Sequence, residues 1–240
     1  MPKGNSGRRK NGGILQARTI DEANKIAVNY DLAQRADFSE LDISVANEIL
    51  QNLLKTREDF PEAFEKLEFV GSLNGFNETK TIKYEMDRSV LASRICSTRA
   101  ASLVFNDTNF NERWHDVARN NIAKGQETLF FPKGCNTLKS LIDHEIGHLI
   151  EYKHGLLFNN TINSLYDKYR GEEKPHTFRH SSKTVRINLK MAKALSGYAN
   201  TNVAEFIAEA WSEYRNNPNP RPVAKKVGNE IMKCMREGAK

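Results

Sequence analysis

Three side chains stand in an order that metal chemistry uses. His144, Glu145 and His148 form the pattern H-E-x-x-H inside the stretch from Cys135 to Ile150. Residues four apart in a helix lie on one face, one turn above the other, so His144 and His148 can offer two imidazole nitrogens to a single ion. Glu145 lies about 100° round the helix from His144, near enough to reach a water at the ion's open position without being a ligand. Two ligands, an open position and a carboxylate that takes a proton from water are what a zinc hydrolase requires. The competing reading is a surface helix with two hydrogen-bonded histidines. Ile142, Ile146, Leu149 and Ile150 argue against it, because they bury the helix beside its histidines.

A catalytic zinc site needs a third protein ligand, and His154, Glu205 and Glu209 are the candidates. His154 has the spacing of the extended pattern H-E-x-x-H-x-x-G-x-x-H, but Glu151 holds the place of the glycine that lets the chain leave the helix. With the helix continuing, His154 lies about 240° round from His148, facing away. Glu205 and Glu209 stack one turn apart in Thr201 to Trp211, a second helix that Thr201 or Asn202 can cap, among Phe206, Ile207, Ala210 and Trp211. A carboxylate pair in such surroundings is costly to bury without a cation or hydrogen-bond donors. A metal answers that for one of them, and the second N–H of a ligand histidine answers it for the other. His176 and His180 are also four apart, but no acidic base lies between them, and a loop or a surface helix suits them better.

The elements that must position these groups follow from periodicity. Apolar residues at 138, 141, 142, 146, 149 and 150 have helical spacing, with Asn136 or Thr137 to cap the start and Gly155 to close the end. Upstream, Leu67–Gly71, Thr81–Met86, Ser102–Asn106 and Glu127–Phe131 read as strands, and 110–123 as a helix. Short strands leading into such a helix suit a small mixed sheet packed against it. The last of them can be an edge that pairs with an extended peptide. Further towards the N-terminus, Thr19 and Glu22 form a capping box for a helix running to Ala36. Asp42 or Ser44 opens another, with Val45, Ile49, Leu50, Leu53 and Leu54 on one face, and Pro61 ends it before a short turn over 62–67. Residues 155–195 are polar and irregular and read as a loop.

The chain has 240 residues and 39% hydrophobic content, enough for one sizeable core. No apolar run reaches the roughly 18 residues of a membrane helix. The basic start, Met1 to Gly13, is followed by no apolar segment, so no secretory signal is expected. Cys96, Cys135 and Cys234 are scattered and odd in number, which excludes a disulfide framework and fits a reducing compartment. Part of the net charge of +6 lies in the first ten residues and part in the tail, from Arg221 to Lys240. Such termini serve solubility or attract nucleic acid or acidic protein.

The H-E-x-x-H helix together with Ser196-Gly197-Tyr198-Ala199-Asn200-Thr201-Asn202-Val203-Ala204-Glu205-Phe206-Ile207-Ala208-Glu209-Ala210-Trp211 resembles the catalytic domain of the anthrax lethal factor family, itself similar to the bacterial Pro-Pro endopeptidases. These are zinc metallopeptidases of the gluzincin kind, and the resemblance covers roughly residues 100–235. It implies Zn2+ on His144, His148 and Glu205, Glu209 as the carboxylate behind a ligand, Glu145 as general base, and Tyr198 as donor to the developing oxyanion or the leaving group. It implies an α+β fold: a zincin-like metallopeptidase domain over 67–240, with a small mixed sheet, an active-site helix and a second Glu-bearing helix. A helical region over 14–66 and a disordered basic tail over 1–13 precede it. The toxin's delivery and exosite domains have no counterpart, so target choice does not transfer. Val45-Ala46-Asn47-Glu48 and Phe60-Pro61 also resemble segments ahead of catalytic domains in phage-head and mobile-element proteins. The expectation is a zinc-dependent endopeptidase acting on a protein or peptide, cytoplasmic or virion-associated, with no membrane partner. The alternative is a phage structural or head-morphogenesis protein with a structural or vestigial zinc site, its basic termini contacting DNA or virion proteins.

Overall fold

The computed structural model describes residues 15–65, 67–96, 101–170, 176–180 and 183–238. The expected tail over 1–13 lies outside them. Thr19 caps α1 (Ile20–Asn29) by accepting the N–H of Glu22, while the Glu22 carboxylate takes the N–H of Arg18. The helix stops well before Ala36, because Asp31 turns left-handed at φ 49° and the chain enters a strand, β1 (Arg35–Asp37). Buried Leu32 and Phe38 anchor either side of that strand, which the apolar pattern alone reads as more helix. Asp42 caps α2 (Ile43–Asp59), which buries Val45, Ile49, Leu50 and Leu53 before Pro61 begins a single 3-10 turn.

A four-stranded mixed sheet follows. Its other strands are β2 (Leu67–Ser72), β3 (Ala92–Cys96) and β4 (Ala101–Phe105), and α3 (Leu73–Glu78) lies between β2 and β3. The order is β1-β2-β4-β3, with β1, β2 and β4 parallel and β3 antiparallel on β4. The strand expected at Thr81–Met86 is absent. The Asn77 side chain clasps both the N–H and the carbonyl of Tyr84 at 2.8 Å, so local bonding satisfies that backbone in place of a ladder. Ile82 is left 88% exposed, and Met86 packs on a side cluster of Phe69, Phe76 and Val104.

Next come α4 (Asp107–Phe110) and α5 (His115–Glu127), the latter several residues later than the helix expected over 110–123. The expected strand Glu127–Phe131 is instead a turn. Glu127 still belongs to α5, Leu129 takes φ 60°, and the N–H groups of Phe130 and Phe131 both return to the carbonyl of Gly125. Thr137 caps α6 (Leu138–His154) in a capping box with Ser140, and Gly155 closes it at φ 62°.

The polar segment 155–195 is more ordered than its composition suggests. It holds α7 (Asn160–Tyr169), the antiparallel pair β5 (His176–His180) and β6 (Lys183–Ile187), and α8 (Leu189–Ala194). One narrow stripe, Ile162 and Tyr166, is all that α7 buries, which is why its helical signal is weak. His176 and His180 are the two ends of a strand and not successive turns of a helix or a loop. The last described elements are α9 (Val203–Asn216), capped by Asn202, and α10 (Pro222–Gly238).

The fold is α+β, mostly helical around the small mixed sheet. One core runs from Ala23 and Leu53 through Leu103 and Ile146 to Trp211 and Ile231. The segment 14–66 shares it, lending β1 to the sheet and packing α2 on α6. Among the described residues no helix is long and apolar enough to cross a membrane.

Candidate metal centre

The site is built where α6 crosses α9. Gly147 makes that crossing close: a Cβ there would come within 2.9 Å of the Ala208 Cα and 3.3 Å of the Trp211 Cβ. The missing side chain lets the Glu205–Glu209 face of α9 meet the His144–His148 face of α6. His144 Nε2 lies 3.2 Å and His148 Nε2 3.3 Å from the same oxygen, Glu205 Oε2. The candidate ligand atoms of these three residues fall within 4.8 Å of one another, and the group could hold a metal ion. His144 and His148 are buried and Glu205 is partly so.

Glu209, one turn further along α9, accepts the Nδ1–H of His144 at 2.8 Å. That bond fixes the tautomer. With the proton on Nδ1, a neutral His144 turns a lone pair on Nε2 towards the Glu205 oxygen. No hydrogen bond satisfies that buried oxygen, nor Oε2 of Glu145. Converging lone pairs with no proton between them are a poor arrangement by themselves and a good one around a cation, so these residues fit a bound metal. The electrostatics point the same way. With no cation in place, burial alone pushes the His144 pKa down, but the Glu205 and Glu209 carboxylates beside it reverse this and hold it well above the usual value, so the site draws either a proton or a cation. Burial pushes Glu205 up, yet the two imidazoles hold it well below the usual carboxylate range. The pocket favours positive charge.

The remaining expected residues are at hand. Tyr198 sits in the 3-10 turn Tyr198–Asn200, its ring centroid 6.0 Å from that of His144. Burial raises its pKa, and the Glu205, Glu145 and Glu209 carboxylates add to the rise, so it stays a hydroxyl donor. The Leu129–Phe130 turn holds it in place: the carbonyls of Leu129 and Phe130 accept the N–H groups of Gly197 and Tyr198 at 2.7 and 3.2 Å. Glu145 is buried beside His144 on α6. His154 is not brought to the cluster; it ends α6, where burial lowers its pKa. Glu151, in the place of the extended pattern's glycine, continues the helix and lies 3.5 Å from Arg94 on β3. Arg94 also donates to the carbonyl of His148 at 3.2 Å, so the sheet's edge strand is tied to the metal-site helix.

Sequence reasoning gave no role to several residues that shape this centre. Ser196 donates to Glu209 Oε2 at 2.6 Å and accepts the N–H of Ala199 at 3.0 Å. Glu213, the next turn after Glu209, is fully buried and takes the Arg221 guanidinium in a 2.6 Å contact. Arg221 also donates to the carbonyls of Ala192, Lys193 and Leu195, fastening the chain just ahead of Ser196. The i, i+4 repeat of Glu205, Glu209 and Glu213 was the available signal. His144, Glu145 and Tyr198 open on a recess of about 550 Å³. Comparison with protein-family models, with curated proteins and with solved structures finds no match.

Proposed function

We propose that the chain is a zinc-dependent endopeptidase of the zincin kind, related to the gluzincins its two motifs resemble. The observation that carries the reading is the convergence of His144, His148 and Glu205 within 4.8 Å beside a buried carboxylate, Glu145, whose Oε2 has no partner. Two imidazoles and a carboxylate are a zinc donor set that leaves a position open. A zinc ion held there would acidify a bound water and polarise the scissile carbonyl. Glu145 takes the proton of the attacking water and returns it to the leaving nitrogen, so that one water is divided across the C–N bond. Tyr198, kept neutral by its burial and by the surrounding carboxylates, donates to the oxyanion that forms. Glu209 and Ser196 hold the ring of His144 in orientation. The outer edge of β3, tied to α6 through Arg94 and paired with no further strand among the described residues, offers backbone groups to an extended peptide. A metal that merely held the fold together would have no use for Glu145 or Tyr198, which favours this reading over that of a phage structural protein with a structural or vestigial zinc site.

The test pairs metal content with cleavage. The purified chain is expected to hold one zinc and to cut members of a peptide library, and Glu145→Gln to keep the zinc and lose cleavage by a factor of about 10²–10⁴. A metal-free chain that takes up no zinc, or a Glu145→Gln variant with normal turnover, would end the proposal.

A further inference from the structure

We propose that the groove between α7 and α10 binds a single strand of nucleic acid, with its phosphates on Lys168, Lys226 and Lys233 and a base stacked on Phe158. The proposal goes beyond the endopeptidase reading and does not depend on it: the groove, about 710 Å³, shares no residue with the recess at the metal centre. It is built from two helix faces. Thr161, Ser164 and Lys168 repeat along α7 at helical spacing, and Lys226, Glu230 and Lys233 do so along α10. The other faces are fixed in the core, by Ile162 and Tyr166 on α7 and by Val227 and Ile231 on α10, so the polar faces form the two walls of a hollow. All three lysines are exposed. The acids beside them are engaged: Asp167 pairs with Arg170 at 3.1 Å, and Glu230 accepts the Asn159 side chain at 3.1 Å and lies 4.0 Å from Lys233. Lys168 and Lys226 are left without a carboxylate partner among the described residues.

Phe158 adds an aromatic face to this charge. It ends the 3-10 turn Leu156–Phe158 and is 87% exposed. Buried Leu156 anchors the turn, and the Asn163 side chain on α7 donates to the carbonyl of Leu157 at 2.8 Å, so the ring stands outward on a fixed backbone. Its neighbour Asn159 caps α7 and reaches Glu230 and Cys234 on α10 at 3.1 and 3.5 Å, which places Phe158 at one end of the groove. Lysines that track a backbone and a ring that takes a base are the two parts of a single-strand site. The exposed hydroxyls of Thr161 and Ser164 add donors for phosphate or sugar. A duplex keeps its base faces stacked inside and offers the ring nothing. A membrane surface is flat and does not enter a hollow between helices. An acidic peptide matches the lysines but has no base to lay on Phe158.

The test is fluorescence anisotropy of the full chain with labelled single-stranded oligonucleotides of mixed sequence, one deoxyribo and one ribo. One or both are expected to bind at roughly 1–100 μM near physiological salt. Three phosphate contacts on a single strand give a slope of about −2 in log K against log salt, or roughly a 20-fold loss of affinity between about 50 and 200 mM. Lys168→Gln/Lys226→Gln/Lys233→Gln, all at exposed positions, is expected to lose most of that slope. Lys25→Gln/Lys55→Gln/Lys124→Gln, which removes the same charge at exposed positions outside the groove, is expected to keep it. Phe158→Ala is expected to weaken binding about 5- to 150-fold at an unchanged slope, while Phe158→Trp retains it. No binding at the lower salt, equal losses in the two triple variants, or a Phe158→Ala protein with the parent's affinity would overturn the proposal. So would displacement of the labelled strand by duplex DNA, polyglutamate or phosphatidylserine vesicles as effectively, charge for charge, as by unlabelled single strand, since each would name a different partner.

Discussion

Truncating Glu209 tests whether its carboxylate orients a proposed metal ligand, His144, rather than being a ligand as Glu205 is proposed to be. Glu209 is 1% exposed and serves two donors, the Nδ1–H of His144 at 2.8 Å and the hydroxyl of Ser196 at 2.6 Å. In Glu209→Ala the imidazole is free to rotate or to move its proton to Nε2, the nitrogen that faces the proposed metal position. Loss of such a partner weakens metal binding by about 10- to 100-fold, or about 1.4–2.8 kcal/mol. That agrees with the roughly 1.5–3 kcal/mol of a charge-assisted hydrogen bond. Glu205→Ala removes one of three donors and is expected to cost at least another factor of about ten. Glu209→Gln keeps an acceptor for His144, and its amide can donate to Ser196 Oγ, so it should stay within about tenfold of the parent. Zinc affinity is measured on the full chain by competition with a chromogenic chelator. The expected order of loss is Glu205→Ala, then Glu209→Ala, then Glu209→Gln. A Glu209→Ala protein with the parent's affinity, or one indistinguishable from Glu205→Ala, would refute the assignment of roles along α9.

Two other outcomes are expected. Gly147→Ala would gain up to about 1 kcal/mol from helix propensity alone, but its methyl meets the Ala208 backbone at 2.9 Å; the expected net result is a loss of about 1–2 kcal/mol, read as a lower urea midpoint, together with weaker zinc binding, and a raised midpoint would show that α6 and α9 are not in close contact. Arg221→Ala strands a fully buried Glu213 and three carbonyls; the expected cost is about 3–5 kcal/mol, measured by chemical denaturation with Arg221→Lys recovering part of it, and a variant as stable as the parent would mean that the pair is not formed.

What could be seen in the sequence was what local periodicity carries. The Thr137 cap, the Gly155 stop, the paired histidines and the Glu205–Glu209 stack each need only residues within a turn or two of one another, and the structure places them as expected. The misses share a cause, which is that strand and turn are decided by partners outside the segment's own periodic pattern, whether a few residues away or far along the chain. Thr81–Met86 alternates, but the Asn77 side chain claims its backbone first. Glu127–Phe131 has strand-forming residues, but Gly125 offers one carbonyl to two N–H groups and a flat place for the Phe131 ring. β1 has three residues and no pattern of its own, and pairing with β2 alone makes it a strand. Arg221 reads as part of a basic tail until the fold brings it to Glu213.

The face of α9 that carries the centre has a simple logic. Glu205, Glu209 and Glu213 lie four apart, so their carboxylates line up along one side of the helix. Each faces a different positive partner: the proposed metal position, the Nδ1–H of His144, and the guanidinium of Arg221. Three carboxylates this close repel one another and are costly to bury. The row is tolerable only with each of its partners in place. Emptying one position leaves the other two facing the same uncompensated charge. Metal binding at Glu205, as proposed, and the Arg221 bond at Glu213, two turns apart, would therefore be linked through the charge on Glu209 as well as through the backbone. The chain from Leu195 to Tyr198, fastened by Arg221 at one end and by the Leu129–Phe130 turn at the other, carries Ser196 and Tyr198 between those two anchors. The same arrangement that neutralises the helix face thus also sets where the proposed oxyanion donor stands.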